Sequence, residues 1–203
     1  HQIRRGWVWS ELGYSPLCGS LPFLVGMAEI ASKSFPSLSI NEIRDYYISE
    51  GYLADQYMRK ALATVKSDKD KLVIKSIIRV VYAPWLESIT KKFQALIQKN
   101  PSVFTDKAAV TESESYVLFV DALRFELAKE FEEFLLKSGY KTNLTSAWSA
   151  IPTVTPTAKP DVSPLATEVS DTSKFVEFRP QLCNGKDLQS ASFKEALESL
   201  EFT

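Results

Sequence analysis

A chain of 203 residues with 45% hydrophobic and 12% aromatic residues is long enough to bury one large core or two small ones. Its 24 basic and 25 acidic side chains give a formal net charge of -1, which excludes a general attraction to nucleic acid or to an anionic membrane. No stretch reaches the ~18 apolar residues that a transmembrane helix needs, and the N-terminus lacks the pattern of a secretion signal. We therefore expect a folded, soluble protein of the cytoplasm.

The two cysteines, Cys18 and Cys183, stand far apart in the sequence. This spacing is unlike the clustered spacing of a zinc knuckle or of a small disulfide framework. We expect both to be reduced, buried thiols.

The first hundred residues carry apolar side chains at steps of three and four, which is the spacing of amphipathic helices. The longest apolar stripe extends from Ile74 to Leu96. Pro84 falls inside this stripe, where it removes a backbone donor and crowds the preceding turn. We therefore predict a long helix with a kink or a boundary between Val81 and Pro84.

An earlier helix is predicted to begin at Ser39. Ser39 and Glu42 have the spacing of a capping box, in which a hydroxyl and a carboxylate bind free N–H groups of the first turn. Glycine is a poor helix former, so Gly51 is expected to interrupt the helix that follows.

A boundary is predicted near residue 110, after the turn signal Asn100-Pro101. The run 115–120 that follows is short, apolar and β-branched, which is typical of a strand buried on both faces of a parallel sheet. A helix ending at Gly139 and a second strand over 140–146 are expected next. The apolar face of that helix would consist of Leu123, Leu127, Phe131, Phe134 and Leu135. The order strand, helix, strand predicts an α/β fold for this half of the chain.

The last fifty residues give weaker signals. The proline-rich stretch from Pro152 to Pro164 argues against a regular helix there. Ser192 and Glu195 have the spacing of a second capping box, which predicts a short helix from that point through Leu200.

Asp121 is the first candidate for a chemical role, because it directly follows the first predicted strand and begins the next helix. Ligands of open α/β sheets bind beyond the carboxyl ends of the strands, which makes Asp121 a candidate metal ligand. Aspartate is also among the best helix N-caps, so a capping role is an equal alternative. Arg124 and Glu126 follow in the first turn, where we expect Arg124 to form a surface or intrahelical ion pair rather than to bind an anionic substrate.

The second candidate is the hydroxyl-rich segment around Thr153, Thr155 and Thr157. A threonine hydroxyl becomes a good nucleophile when a metal or a base withdraws its proton, and a carboxylate-bound divalent cation can do this. Without further context, such a segment is a turn whose hydroxyls bond to the backbone. Both interpretations remain open at the level of residue pattern.

In this order, the two segments resemble the hallmark motifs of PglZ domains of the alkaline-phosphatase superfamily. The first motif is Tyr116 to Glu126, Tyr-Val-Leu-Phe-Val-Asp-Ala-Leu-Arg-Phe-Glu, and the second is Pro152-Thr153-Val154-Thr155. Residues 7–17 and 81–87 are similar to the helical region that precedes the domain in this family, and residues 178–186 are similar to family sequence after the threonine motif.

The resemblance implies a helical region over 1–110, followed over 111–203 by the first part of an alkaline-phosphatase-like α/β domain. It implies a metal-dependent phosphatase or phosphodiesterase acting on a phosphate ester, including nucleotides or nucleic acid. It also implies paired divalent metals, commonly zinc, with Asp121 as a metal ligand and Thr155 as nucleophile and metal ligand. Thr153 is the alternative nucleophile. The implied setting is bacterial phage defence of the BREX and phage-growth-limitation type, with a DNA methyltransferase and ATPases as partners.

The two-metal centre of this superfamily is completed by Asp and His ligands from later strands, whereas the single histidine of this chain is His1. Zinc sites generally use at least three protein ligands. We therefore expect a fragment of a longer protein, without appreciable catalytic activity on its own.

Two further hypotheses belong to other functional classes. The chain is alternatively a non-catalytic protein-interaction module within a defence complex, which exposed aromatic rings at Trp7, Trp9 and Tyr14 would favour. A nucleic-acid binder is the third hypothesis, and the scattered, acid-balanced Lys and Arg residues argue against it.

Overall fold

A computed structural model describes most of the chain, in ranges separated by short gaps: residues 15–33, 39–99, 116–118, 120, 123–149, 153–170, 180–200 and 202. The chain divides into two compact units. The first unit comprises residues 1–100 and 124–144, and the second comprises residues 101–123 and 145–203.

The first unit is helical throughout its described elements: α1 (Pro16–Ser32), α2 (Ile40–Tyr46), a π-helical turn (Tyr47–Gly51), α3 (Tyr52–Thr64), α4 (Asp68–Lys99) and α5 (Phe125–Lys137). Helix α1 packs against α3 and α4, and α5 packs against α3. The core between these helices is apolar and consists of Leu24, Met27, Ile30, Ala54, Ala61, Val65, Ile74, Tyr82 and Trp85. The helical character predicted for the described part of this region is confirmed.

The predicted capping box at the start of α2 is confirmed. The backbone N–H of Glu42 donates to Oγ of Ser39 at 3.2 Å, and the Ser39 hydroxyl donates to Oε2 of Glu42 at 3.2 Å. The interruption expected at Gly51 takes the form of the π-helical turn, which joins α2 to α3 while the backbone stays helical. A Cβ at Gly51 would lie 3.1 Å from the ring of Tyr46, so the turn has little room for a larger residue.

Helix α4 continues through Pro84, so the alternative of a helix boundary at this proline is wrong. Proline removes the donor that would reach the carbonyl oxygen of Val80, four residues earlier. The side chain of Val80 is 76% exposed, which places this turn on the solvent side of the helix, where water can replace the missing donor.

The helix predicted before Gly139 is confirmed as α5, but it begins at Phe125, so its predicted start at Asp121 is wrong and Leu123 lies outside it. Gly139 follows its last turn with φ +87°, in the left-handed region that glycine adopts without strain. The N–H groups of Gly139 and Tyr140 then donate to the carbonyls of Leu136 and Leu135, both at 3.0 Å. These bonds end the helix in the way that the sequence indicates.

The second unit contains α6 (Thr155–Asp161), a 3₁₀ turn (Ala166–Glu168) and α7 (Ser190–Ser199) among its described residues. The prediction that the proline-rich stretch excludes a regular helix is wrong, because α6 lies within it. Pro156 lies in the first turn of α6. Backbone N–H groups of the first turn have no acceptor within the helix, so the missing N–H of proline does not weaken the helix there.

Helix α7 begins at Ser190, two residues before the predicted start. Ser192 lies inside the helix and accepts a hydrogen bond from the N–H of Gln189 at 2.8 Å. Its role as the capping residue is therefore wrong, although its hydroxyl does stabilise the helix start. Glu195 pairs with Lys186 at 2.7 Å instead of closing a capping box.

The predicted α/β fold is wrong for the described part of the chain, which is mostly helical and contains isolated β-bridges but no sheet. Residues 116–118, 120 and 140–149 have no regular secondary structure. Tyr116 and Leu118, expected to be buried on both strand faces, are 106% and 82% exposed. A short apolar strand becomes stable when neighbouring strands pair with it and helices cover its faces. The described residues of 111–203 form no such set of paired strands, so they do not form the expected alkaline-phosphatase-like sheet.

Within the described ranges, no helix combines the length and apolar character needed to cross a membrane. Both cysteines are free thiols, as the sequence predicts. Cys18 is half-buried, and Cys183 is exposed, so the prediction of a buried thiol is wrong for Cys183.

Candidate functional site

The candidate residues lie in different parts of the molecule. Thr155 is the first residue of α6 in the second unit and is exposed, as is Thr153. Arg124 and Glu126 lie at the start of α5 in the first unit. Asp121 lies outside the described residues, but the N-cap of α5 is Arg124, so the capping role considered for Asp121 at the start of this helix is wrong.

Arg124 forms ion pairs with two buried carboxylates. Its Nη2 lies 3.0 Å from Oδ1 of Asp55 on α3, and its Nε lies 2.9 Å from Oε1 of Glu126 on α5. Arg124 occupies the N-cap position of α5, in an extended conformation that turns its side chain back toward these partners. The predicted ion pair of Arg124 is present, but both carboxylates are buried and Asp55 lies on another helix, so its expected form as a surface or intrahelical pair is wrong.

Asp55 is the centre of this arrangement. It is 4% exposed and contacts polar groups of three elements. The Tyr47 hydroxyl of the π-helical turn donates to Oδ2 at 2.6 Å, and the Tyr82 hydroxyl of α4 donates to Oδ1. The Arg124 guanidinium, at the start of α5, contributes the ion pair. We call Tyr47, Asp55, Tyr82, Arg124 and Glu126 the anchor cluster.

Glu126 is fully buried, and neither of its carboxylate oxygens accepts a hydrogen bond from any other described residue. Its Oε1 lies 2.9 Å from Nε of Arg124, which is close enough for an ion pair, but the two groups do not form a hydrogen bond. A carboxylate buried without compensation is strongly unfavourable. Arg124 supplies the positive charge that faces both buried acids, which makes it the critical member of the anchor cluster.

Helix α5 contacts the rest of the first unit through polar and aromatic groups. Gln56 Nε2 donates to Oε1 of Glu130 at 3.0 Å, and Nζ of Lys60 lies 3.3 Å from the same atom. The ring of Phe125 packs against Tyr52 at 5.5 Å between centroids, nearly edge to face. The polar stripe of α5 therefore holds it against α3.

The apolar stripe of α5 is partly exposed, with Leu127 and Leu135 half-buried. Phe131 and Phe134 are 51% and 63% exposed, and neither packs into the apolar core of the first unit.

The anchor cluster shifts the acidity of its members. Burial, reinforced by the bond to the Asp55 carboxylate, raises the pKa of both Tyr47 and Tyr82 above the ordinary value of 10.0. Burial by itself would lower the pKa of Arg124, but the charges of Glu126 and Asp55 outweigh it and raise that pKa. Ionised tyrosine beside ionised Asp55 is therefore disfavoured, and Arg124 stays charged.

We predict that Tyr47 and Tyr82 resist ionisation when the chain is titrated with base. The folded pKa exceeds the unfolded value of about 10, so their contribution to stability is complete below pH 10 and decreases as the pH rises above it. Tyrosinate absorbance should show these two side chains titrating well above pH 10 or only with unfolding. Tyr47→Phe and Tyr82→Phe should each remove one late-titrating group. Ionisation of all tyrosines in one transition near pH 10 would contradict the cluster.

Thr155 has the geometry of an available hydroxyl. The capping bonds of α6 are made by Thr157, which is buried and whose Oγ1 donates to the carbonyl of Val154 at 3.0 Å. The N–H of Val154 in turn donates to Oγ1 of Thr157 at 3.4 Å. Thr155 is exposed and its hydroxyl has no hydrogen-bond partner among the described residues, so it can meet a substrate without breaking an internal bond.

The described residues do not form a complete zinc centre. No group of three or more His, Cys, Asp or Glu side chains able to hold a metal ion occurs among them. Asp121 and Thr155 together offer two ligands, fewer than the three protein ligands that zinc sites generally use. Further ligands are needed before either residue can hold zinc tightly.

Comparisons of the chain with protein-family models, with curated proteins and with solved structures found no match.

Proposed function

We propose that this chain carries part of the active site of a metal-dependent phosphatase or phosphodiesterase of the PglZ type. The observation that carries the proposal is the exposed Thr155 hydroxyl at the start of α6, within the Pro-Thr-Val-Thr segment. A nucleophile must reach its substrate, and a hydroxyl already used for capping would first have to give up its bond. Thr157 does the capping here, which leaves Thr155 available.

In this proposal Thr155 is the nucleophile that accepts the phosphoryl group, and it is also a metal ligand. Thr153 is the alternative nucleophile, but it already has an interaction partner in the structure. Asp121 is proposed as a ligand of a divalent metal, most commonly zinc. Because the described residues lack a third ligand, the proposal takes the remaining ligands from outside them.

The proposed setting follows the same family resemblance. The protein acts in the cytoplasm in bacterial phage defence of the BREX or phage-growth-limitation type. Its partners are a DNA methyltransferase and ATPases of the same system, and its substrate is a phosphate ester, including nucleic acid.

The proposal predicts that Thr155→Ala abolishes hydrolysis by the full-length protein that carries this sequence. Turnover of bis-p-nitrophenyl phosphate is measured with zinc, with manganese and with chelator. We expect metal-dependent turnover to fall by about 10³-fold or more in Thr155→Ala, because the nucleophile is lost. Thr153→Ala is the matched control, two residues away and also exposed, and it should retain most of the activity. The reverse pattern would transfer the nucleophilic role to Thr153.

A second candidate function is a non-catalytic interaction module that binds a protein of the same defence system. It is favoured by the apolar stripe of α5, where Phe131 and Phe134 are both more than half exposed. Exposed apolar patches of this kind often mark interaction surfaces. The residues first considered for this role, Trp7, Trp9 and Tyr14, lie outside the described ranges. Absence of hydrolysis by the full-length protein with every metal would favour this second function.

A further inference from the structure

We infer that α5 is a strap, held to the first unit by charge, that opens and closes while the core of that unit stays folded. The apolar cluster of the first unit, and the apolar side chains packed against it, all lie between Leu17 and Ile89. Helix α5 follows this region in the sequence and contributes no side chain to the cluster. The inference is independent of the proposed function, because it concerns only how α5 is attached within the first unit.

Two sets of charged groups hold α5 against α3. At the start of α5, Nη2 of Arg124 lies 3.0 Å from Oδ1 of Asp55 on α3. Farther along α5 the signs are reversed, because the acid Glu130 belongs to α5 and its basic partners belong to α3. Nη2 of Arg59 lies 2.5 Å from Oε2 of Glu130, and Nζ of Lys60 lies 3.3 Å from Oε1. Turning α5 end for end would place like charges together, so the two sets also fix its direction along α3.

Apolar burial contributes little to this attachment. The one fully buried side chain of α5 is the charged Glu126. Phe125 packs its ring against Tyr47 and Tyr52 at 6.1 and 5.5 Å between centroids, but Phe134, near the other end of the helix, is mostly exposed. A segment with few buried apolar contacts opens at a lower free energy than the core of the same protein. We therefore expect α5 to open before the cluster unfolds.

Glu126 favours the open state of α5. Its carboxylate is fully buried and accepts no hydrogen bond from any other described residue. Burial of a carboxylate in this way is unfavourable, and water solvates the group once α5 moves away. The closed state therefore depends on ion pairs strong enough to outweigh this cost.

Dissolved ions reach the ion pairs that close the strap. The side chains of Arg59, Lys60, Arg124 and Glu130 are between 27% and 51% exposed. Salt weakens partly exposed pairs, since charges are screened over about 3 Å at 1 M ionic strength. The apolar cluster consists of uncharged side chains, so salt has no such pairs to screen there. Ionic strength should thus control α5 and leave the core closed.

The test measures hydrogen exchange of the full-length protein by mass spectrometry, in peptides from the middle of α5 and from α1. We expect α5 amides to exchange at least about tenfold faster than the protected amides of α1, whose exchange requires the cluster to open. Raising sodium chloride from about 0.05 to about 1 M should speed exchange in α5 about threefold further, with no matching change in α1.

Glu130→Gln tests whether the ion pairs are the cause. It removes the charge that faces Arg59 and Lys60 and keeps the size of the side chain. We expect exchange in α5 to rise about fivefold or more and its response to salt to shrink. Glu133→Gln is the matched control on the same helix, because Glu133 is exposed and pairs only within α5, at 4.0 Å from Lys137. It should leave both the rate and the salt response as in the wild type.

Two results would overturn the inference. Equal protection of α5 and α1 would show that α5 opens only when the core unfolds. Equal exchange in Glu130→Gln and Glu133→Gln, or exchange in α5 that is indifferent to salt, would show that charge does not hold the helix. Neither result involves hydrolysis, so failure of the strap leaves the proposed function untouched, and failure of the proposed function leaves the strap untouched.

Discussion

Replacing Arg124 with methionine is expected to lower the free energy of unfolding by about 3 kcal/mol or more, because two buried carboxylates lose their counter-charge. Asp55 and Glu126 are 4% and 0% exposed whereas the Arg124 side chain is 51% exposed, so its removal leaves two carboxylates that water reaches only from the side of the lost guanidinium. An exposed ion pair would cost about 1 kcal/mol or less. The two expectations differ enough to be separated by urea denaturation followed by tryptophan fluorescence and circular dichroism.

A double variant tests the reason for this loss. Glu126→Gln removes one of the two buried charges, so adding it to Arg124→Met should restore part of the lost stability. Asp55 would then keep the two tyrosine hydroxyls as donors. If Arg124→Met changes stability by less than about 1 kcal/mol, or if the double variant is merely additive, the ion pairs do not stabilise the unit as argued.

Ile74→Ala is expected to cost about 2–5 kcal/mol, the range for truncation of a large aliphatic side chain in a packed core. Ile74 is 0% exposed and belongs to the cluster that α1, α3 and α4 form together. Truncation removes three carbon atoms and leaves a cavity that rigid helices cannot close. Urea denaturation with the signal of Trp85, which lies in the same cluster, reports the change.

Val80→Ala on the same helix is the matched control for Ile74→Ala. Val80 is 76% exposed, so its truncation should change stability by about 0.5 kcal/mol or less. Equal losses from the two substitutions would mean that α4 does not present Ile74 to the core.

The helices of the first unit are predictable from the sequence because their signals are local. Apolar spacing gives α4, and Ser39 with Glu42 gives the start of α2. The α/β prediction was wrong because an apolar run such as 115–120 indicates only that the segment can be buried, and not that it forms a strand. Whether 115–120 becomes a strand depends on partner strands elsewhere, and no local pattern supplies that information.

The position of Asp55 in the sequence indicates that its carboxylate is buried. It stands on the inner stripe of α3, three residues before Met58 and seven before Leu62, both of which pack against the core. An acid on an apolar stripe requires a buried partner. Its partner Arg124 follows 69 residues later, at a distance in sequence that no spacing rule covers.

The sequence also left the roles of the threonines undecided. Thr153, Thr155 and Thr157 have the same hydroxyl, and capping depends on which residue begins the helix. Helix boundaries are uncertain by a residue or two from sequence, which is the spacing that separates these three. The structure assigns the capping bonds to Thr157.

Hydrolysis of bis-p-nitrophenyl phosphate by the full-length protein, before and after treatment with chelator, tests the central claim most directly. We predict turnover that requires zinc or manganese, disappears with chelator, returns when metal is restored, and is lost in both Asp121→Ala and Thr155→Ala. Turnover that survives both substitutions, or no turnover with either metal, would contradict the assignment of this chain to a metal-dependent phosphoric ester hydrolase.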